Sequence, residues 1–217
     1  PMPPDKNFYT QFVFYYDWRR DISENAVELE QFISEKRAYI QRRYRELYGL
    51  ENYDVQFDVI GHSMGGLLAR YYLLYGGTLL PDDENEKLRV TWKGSKNVDK
   101  VIIVGTPNAG YVDTLIEMIG GLRLASGAPA IPPAVVGTFV SCYQMLPTTE
   151  GHNVVWDGSN EPVDYLSAKT WIELNWGLAD RSQDPWLRKM LPYAATPEER
   201  RKIALDHLEK CLKRARQ

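Results

Sequence analysis

At residues 61–66 the chain reads Gly-His-Ser-Met-Gly-Gly, between a run typical of a β-strand and a run typical of a helix. The preceding residues, 53–60, alternate apolar and polar side chains, and the following residues, 67–74, are rich in leucine and tyrosine. A Gly-x-Ser-x-Gly sequence between a strand and a helix is typical of a nucleophile elbow, in which a strained turn exposes the serine hydroxyl. We therefore predict that Ser63 is a catalytic nucleophile.

The spacing of this stretch has physical reasons. Side chains two positions before and after the serine would collide with the neighbouring strand and helix, and glycine at Gly61 and Gly65 avoids those collisions. The amide N–H of Met64 opens the helix and is expected to donate to an oxyanion. His62 is expected to point away from Ser63, so it is not the predicted base but either a packing residue or a residue that supports the site from behind. The alternative interpretation is a glycine-rich turn that contains an incidental serine.

Composition limits the classes of partner and cofactor. The chain has 217 residues, which is enough for one sizeable domain, and 26 Lys+Arg against 29 Asp+Glu give a net charge of −3. This balance gives no indication of nucleic acid or of an anionic surface as a partner. The cysteines, Cys142 and Cys211, have neither the number of a disulfide framework nor the spacing of a metal site. We predict no metal and no cofactor.

The ends and the hydropathy of the chain bear on its location. No apolar run reaches the roughly 18 residues that a transmembrane segment needs, so none is predicted. We expect a soluble protein, in the cytoplasm or peripheral to a membrane. The start, Pro1–Pro4, has no signal-peptide pattern, and we expect that the chain begins inside a longer protein.

Periodicity predicts an α/β core. The apolar runs at 11–16, 53–60 and 101–104 predict three strands. Between the first two strands we predict a helix that Ser23 caps and Gly49 ends. Its apolar stripe comprises Leu29, Ile33, Ile40, Tyr44 and Leu47. Further helices are predicted after the elbow, ending at Gly76, and over 111–119.

The pattern changes after residue 120, where glycine and proline interrupt it repeatedly. Four of the six tryptophans, Trp156, Trp171, Trp176 and Trp186, lie between residues 150 and 190. Thr196, Pro197 and Glu199 form a capping-box pattern that predicts a terminal helix. We predict a hydrolase core over 1–119 and a mainly helical lid over 120–217.

Four segments together resemble the lecithin:cholesterol acyltransferase-like branch of the α/β-hydrolases. They are Tyr-Asp-Trp-Arg at 16–19, Gly-His-Ser-Met-Gly-Gly at 61–66, Gly-Thr-Pro-Asn-Ala-Gly at 105–110 and Ser-Cys-Tyr-Gln-Met-Leu-Pro at 141–147. They come in the order of that family and cover roughly residues 11–150. At Asn108 the chain departs from the family, which often has histidine there.

The resemblance implies acyl transfer from a lipid ester. Ser63 would attack the ester carbonyl, and the acyl-enzyme would then pass its acyl group to water or to an alcohol. Met64 N–H would supply one oxyanion donor, and a loop after an earlier strand would supply the second. Lipid esters are the expected substrate, and contact with a membrane or lipid interface is an expected accompaniment.

The acid and the base of a serine hydrolase are not marked in this sequence. The fold orders its triad as Ser, Asp or Glu, and His, and beyond His62 the histidines are His152 and His207. Surface or lid positions are the simpler interpretation of both, and a role as base remains open for each. We expect the acid, the base and the oxyanion loop to lie outside residues 1–217. The loop aspartates of the lid are not assigned a role: Asp157, Asp164, Asp180 and Asp184.

Two further features have alternative interpretations. Asp17 and Arg19 follow a predicted strand, at the edge where parallel sheets bind ligands, and either shape the site or form an ion pair. The lid tryptophans either line an acyl pocket or lipid interface, or form the core of the lid.

The prediction from the sequence is therefore a serine-dependent lipase or O-acyltransferase that acts through an acyl-Ser63 intermediate. The alternatives are a plain carboxylesterase and a non-catalytic module of the hydrolase fold that binds a lipid or a protein.

Overall fold

The structure is a computed structural model that describes residues 9–83, 86–147 and 154–217. The chain divides into two compact units, Pro1–Thr106 and Pro107–Gln217, called here the first and the second unit. Each unit is a segment whose residues contact one another more than they contact the other segment. The predicted division into a hydrolase core over 1–119 and a lid over 120–217 stays a prediction.

The first unit contains a β-α-β arrangement. Its elements are helix α1 (Ile22–Tyr48), strand β1 (Phe57–His62), helix α2 (Met64–Tyr75) and strand β2 (Val98–Val104). The two strands are parallel, with Asp58 opposite Lys100 and His62 opposite Val104. A parallel pair needs a crossover connection, and α2 is part of it here.

One face of the strands packs against α1 and α2. The buried apolar side chains there include Ala26 and Leu29 from α1 and Leu68 and Tyr72 from α2. Leu29 belongs to the apolar stripe that the sequence predicts for α1. On the other face, Ile60 is 71% exposed and Ile102, directly opposite it, is 51% exposed.

The predicted strand at 11–16 is not formed. Within the part of the chain that the structure describes, the sheet of the first unit contains β1 and β2 alone. Phe14 and Tyr16 nevertheless pack against the core of the first unit, while Val13 and Tyr15 are exposed. The prediction of a buried strand over 11–16 is therefore wrong. Only part of the run faces the core, and no strand forms because a strand also requires a paired neighbour.

Helix α1 begins two residues earlier than predicted. Its N-cap is Asp21, whose carboxylate accepts the backbone N–H of Ser23 at 2.7 Å, so the assignment of Ser23 as the cap is wrong. Gly49 ends the helix at φ 66°, as predicted. Leu47, predicted in the apolar stripe, is 41% exposed because it lies in the last turn.

The second unit is built from short helices around one core. Buried Met118, Tyr143, Trp171 and Leu208 belong to that core. The helices are α3 (Val112–Gly120), α4 (Pro133–Val136), α5 (Val140–Gln144), α6 (Ala168–Glu173), α7 (Asp184–Met190) and α8 (Pro197–Ala215).

Helix α8 confirms the predicted terminal helix. The Thr196 hydroxyl accepts the N–H of Glu199 at 3.1 Å, and the Glu199 carboxylate accepts the N–H of Thr196 at 3.2 Å. These two bonds satisfy amide donors that the helix cannot satisfy itself. None of the helices in the described residues is long and apolar enough to cross a membrane.

Candidate active site

Ser63 lies at the junction between β1 and α2. Its backbone has φ 52° and ψ −126°, a conformation that costs a non-glycine residue about 1–3 kcal/mol. Its N–H donates to the Val104 carbonyl at 2.8 Å, so pairing with β2 continues through the turn. The side chain is exposed. This is the geometry of a serine held on a sharp strand-to-helix turn.

The glycines around Ser63 differ in what they permit. A Cβ at Gly61 would lie 2.7 Å from the Gly65 carbonyl oxygen, so only glycine fits there. A Cβ at Gly65 would meet nothing closer than the Tyr16 hydroxyl at 3.8 Å, an ordinary contact. The prediction that a side chain at Gly65 would collide with its neighbours is therefore wrong. The tight position is Gly66, where a Cβ would overlap the Thr106 hydroxyl.

Thr106 is a site residue that sequence reasoning did not identify. Its hydroxyl donates to the Ser63 carbonyl at 2.9 Å. Thr106 follows the end of β2, in the segment Gly-Thr-Pro-Asn-Ala-Gly. A hydroxyl-bearing residue just after the strand beside the elbow is the signal that could have found it, because adjacent parallel strands end at the same edge.

The helix start beside Ser63 is suited to negative charge. Met64 is the first residue of α2, and the first amide groups of a helix have no partner within the helix. The α2 dipole adds partial positive charge at this end. The Met64 side chain is buried, 8% exposed, while its amide belongs to the turn that carries the exposed Ser63.

His62 belongs to β1 and is exposed, so the expectation that it packs is wrong. It pairs with Val104 across the sheet, and its Nε2 lies 3.9 Å from the position of a Cβ on Gly105. In the described residues the Ser63 hydroxyl has no hydrogen bond to His62 or to any other group. The structure therefore brings Ser63, Met64, His62 and Thr106 into one turn and adjacent strand end.

His207 packs inside the second unit. Its Nε2 lies 3.4 Å from Cys211 Sγ, and its ring makes an edge contact with Tyr143 at 6.4 Å between centroids. Burial lowers the pKa of His207, and the charge of Lys210 lowers it further, against a hydrogen bond to the Gly137 backbone that raises it. This half-buried ring is not a fully exposed surface histidine, and the alternative of a lid position stays a prediction. The other candidate, His152, lies outside the described residues.

Within the described residues, three of the four aspartates of the predicted lid have structural partners. Asp180 accepts from the Ser182 backbone N–H at 2.8 Å and caps a short turn. Asp184 binds Arg200 through two hydrogen bonds of 2.8 Å. Asp164 pairs with Arg216 at 3.1 Å. The exception, Asp157, is exposed in a turn.

Asp17 and Arg19 form an ion pair, which was one of the two interpretations. The Arg19 guanidinium donates to both carboxylate oxygens at 2.8 Å, and its backbone N–H donates at 3.1 Å. The hydrogen bonds from Arg19 lower the pKa of Asp17 to about 2. The Asp17 carboxylate therefore stays ionised at neutral pH, and the pair joins two residues of the loop that precedes α1.

Two of the four resembling segments meet in the second unit. Gly110, at φ 90°, lies so close to Pro147 that a Cβ would be 2.6 Å from the Pro147 nitrogen. The Tyr111 N–H donates to the Met145 carbonyl at 2.9 Å. Buried Cys142 is in the same segment, and desolvation raises its pKa to about 12, so it is not a reactive thiolate.

The four tryptophans of the predicted lid divide between the two interpretations. Trp171 is 1% exposed and donates its indole N–H to the Tyr165 carbonyl at 2.7 Å. Trp176 packs against it edge to face at 5.9 Å. These two form core. Trp156 and Trp186 are 44% and 40% exposed and remain available to a ligand or a surface.

Comparison with known proteins identifies a family for most of the chain. A family model described as lecithin:cholesterol acyltransferase matches residues 9–177. A comparison with curated proteins found no match. Among solved structures, one chain of the crystal structure of the Tle4-Tli4 complex is similar, with a TM-score of 0.55 and 15% identity. The match covers 92% of this chain and 40% of that chain. At this identity the likeness concerns the fold.

Proposed function

The chain belongs to the lecithin:cholesterol acyltransferase family, and we propose that it hydrolyses or transfers the acyl group of lipid esters through an acyl-Ser63 intermediate. The mixed α/β fold with a parallel sheet agrees with the predicted α/β-hydrolase class. The observation that carries the proposal is the backbone of Ser63, held at φ 52° between β1 and α2. A serine gains nothing structurally from this strain, which is typical of a functional position.

In the proposed reaction the Ser63 hydroxyl attacks the carbonyl carbon of the ester. A base takes the hydroxyl proton as the bond from Oγ to carbon forms, and the carbonyl oxygen becomes an oxyanion. Collapse of this intermediate expels the alcohol of the ester, which takes up the proton. Water or a second alcohol then attacks the acyl-Ser63 ester and regenerates the hydroxyl.

Met64 N–H is the proposed oxyanion donor on this chain. It belongs to the start of α2, where the helix dipole favours a negative charge. Removing one such donor from an acyl-transfer enzyme costs about a hundredfold to a thousandfold in rate. Thr106 supports this arrangement as a positioning residue, because it fixes the carbonyl of Ser63 rather than touching substrate.

A second candidate is a non-catalytic module that binds a lipid or a protein. The observation in its favour is the Ser63 hydroxyl, which makes no hydrogen bond to His62, the histidine in the described part of the first unit. The elbow would then be a structural feature of the fold without a catalytic role. Both candidates predict the same backbone, so reactivity of Ser63 distinguishes them.

The decisive experiment is labelling of the chain with a fluorophosphonate, read out by intact mass. An adduct that is absent in Ser63→Ala and retained in Ser182→Ala would support the catalytic proposal and show that a base lies within residues 1–217. In the unmodified chain the Ser182 hydroxyl bonds Asp180 at 2.7 Å instead of lying on an elbow. A folded chain that takes up no label would show that residues 1–217 do not by themselves activate Ser63, which favours the binding module.

The preferred acyl length distinguishes a lipid enzyme from a plain carboxylesterase. With esters that share one leaving group, we expect turnover to hold or increase from short to long acyl chains. Much faster turnover of a short, soluble ester than of any long-chain ester would contradict a lipid substrate.

A further inference from the structure

The second unit carries a surface that combines exposed aromatic rings with positive charge. It consists of Trp186, Arg188 and Lys189 on α7 and of Tyr193 just after it, and is called here the Trp186 surface. Trp186 is 40% exposed and Tyr193 is 73% exposed. Arg188 and Lys189 are exposed as well. The Lys189 ammonium lies 4.4 Å from the centroid of the Trp186 ring.

The opposite side of this segment is firmly anchored. Leu187 is 5% exposed and belongs to the core of the second unit. Asp184, at the start of α7, binds Arg200 of α8 through two bonds of 2.8 Å. Ala194 is 7% exposed, and its carbonyl accepts from Arg200 at 3.1 Å. The exposed rings are therefore held on a fixed support.

Charge on this surface differs in sign from that of the chain. Residues 185–195 include Arg188 and Lys189 and no aspartate or glutamate, whereas the whole chain carries −3. Asp184, the acid next to this segment, is neutralised by its pair with Arg200. Overall composition gave no indication of an anionic partner because it averages over this local excess of cations.

We propose that the Trp186 surface docks the protein on an anionic lipid surface. Tryptophan and tyrosine place amphipathic rings at the level of lipid headgroups, and neighbouring lysine and arginine are attracted to acidic lipids. The choice of a lipid surface over a protein partner rests on the proposed function, since an enzyme of lipid esters must reach them in an aggregate. The docking itself requires no reaction at Ser63.

The test is co-sedimentation of the full chain with vesicles. One set contains equal parts of phosphatidylserine and phosphatidylcholine, and the other contains phosphatidylcholine alone. We expect the chain to prefer the anionic set. Lys189→Gln should weaken that binding about fivefold, and Trp186→Ala should weaken it about tenfold.

Two matched control variants distinguish binding through the Trp186 surface from nonspecific binding to vesicles. Trp156 is 44% exposed, close to the 40% of Trp186, but an acidic residue, Asp157, follows it. The backbone N–H of Trp156 donates to the Glu161 carbonyl at 2.9 Å. Lys169 is exposed but pairs with Glu173 at 3.6 Å. Trp156→Ala and Lys169→Gln should bind the anionic vesicles as the unmodified chain does. Thermal unfolding of each variant verifies that it is folded.

The outcomes separate docking from catalysis. Binding by Ser63→Ala to anionic vesicles, at the level of the unmodified chain, supports docking even if no fluorophosphonate label forms. Labelling of Ser63 without vesicle binding overturns docking and leaves the proposed function standing. Equal binding to both vesicle sets, or equal losses in Trp156→Ala and Trp186→Ala, also overturns the proposal. If Trp186→Ala does not fold, a fluorescence measurement replaces that variant. Brominated lipid should then quench the fluorescence of Trp186, and this part of the quenching should be lost in Trp186→Phe.

Discussion

The Thr106 hydroxyl donates a hydrogen bond of 2.9 Å to the carbonyl oxygen of Ser63, two residues separated by 43 positions in the sequence. This bond joins the segment after β2 to the strained turn after β1. The same hydroxyl occupies the space in which a side chain at Gly66 would lie. Thr106 therefore both supports the elbow and determines which residue can follow it.

Replacing the hydroxyl of Thr106 by a methyl group should loosen the turn. Thr106→Val removes one of two donors to the Ser63 carbonyl, which keeps the Gly66 N–H at 3.0 Å, and should cost about 0.5–1.5 kcal/mol in unfolding free energy. We also expect slower fluorophosphonate labelling, because the strained conformation loses a restraint. Thr78→Val is the control: its hydroxyl donates to the Tyr75 carbonyl at 2.7 Å, away from the elbow. An equal change in labelling rate in both variants would contradict a special role for Thr106.

Alanine at the two adjacent glycines should have opposite effects. Gly66→Ala places a Cβ 2.9 Å from Ile103 Cγ2 and against Thr106, and overpacking of this kind costs about 1–3 kcal/mol. Gly65→Ala meets only an ordinary contact and gains helix propensity of up to about 1 kcal/mol. Denaturant unfolding of both variants measures the difference. A loss in Gly65→Ala as large as in Gly66→Ala would show that the elbow excludes a side chain at both positions.

Breaking the pair between Asp184 and Arg200 should destabilise the second unit. The Arg200 side chain is 5% exposed and Asp184 binds it in a bidentate manner, so Asp184→Asn leaves a buried charge without its partner. We expect a lower melting temperature than in Lys169→Gln, which breaks a pair whose side chains are 80% and 62% exposed. Equal melting temperatures would contradict this ranking.

The same pair predicts a pH dependence. Hydrogen bonds from Arg200 lower the pKa of Asp184 in the folded protein. Its stabilisation is therefore complete above the unfolded pKa, about 3.9, and is lost as the pH falls through the folded value. The difference in melting temperature between the unmodified chain and Asp184→Asn should shrink in strongly acidic solution, and a constant difference would contradict the assignment.

His207 should make the second unit less stable in mild acid. Burial lowers the pKa of His207 in the folded chain, so the unfolded chain binds its proton first as the pH falls below about 6.5. Stability should therefore decrease from that pH until the lower folded value is reached. Unfolding between neutral and mildly acidic pH measures the slope, which should flatten in His207→Gln. An unchanged slope in the variant would contradict the prediction.

Local patterns in the sequence predicted much of the first unit. Apolar periodicity located α1, β1, α2 and β2, because the periods of 3.6 and 2 residues reflect which side chains face a core. It failed at 11–16, where Phe14 and Tyr16 face the core but no strand forms among the described residues. Periodicity reports the direction of side chains, whereas a strand is defined by hydrogen bonds to a partner that the sequence does not name.

The sequence by itself determined the elbow. The stretch Gly-His-Ser-Met-Gly-Gly between a strand pattern and a helix pattern requires one local backbone path, and Ser63 adopts it at φ 52°. The family also followed from local sequence patterns, since four short segments in a fixed order can be recognised from the sequence alone. Capping of α8 by Thr196 and Glu199 was equally local.

Only the tertiary structure decided the roles that depend on distant residues. It showed that Thr106 supports Ser63, that Gly66 rather than Gly65 is the crowded position, and that Trp171 is core while Trp186 is exposed. Each of these is a contact or a burial set by residues far apart along the chain. Such contacts are determined by the packing of whole elements, and a sequence pattern of a few residues carries no information about them.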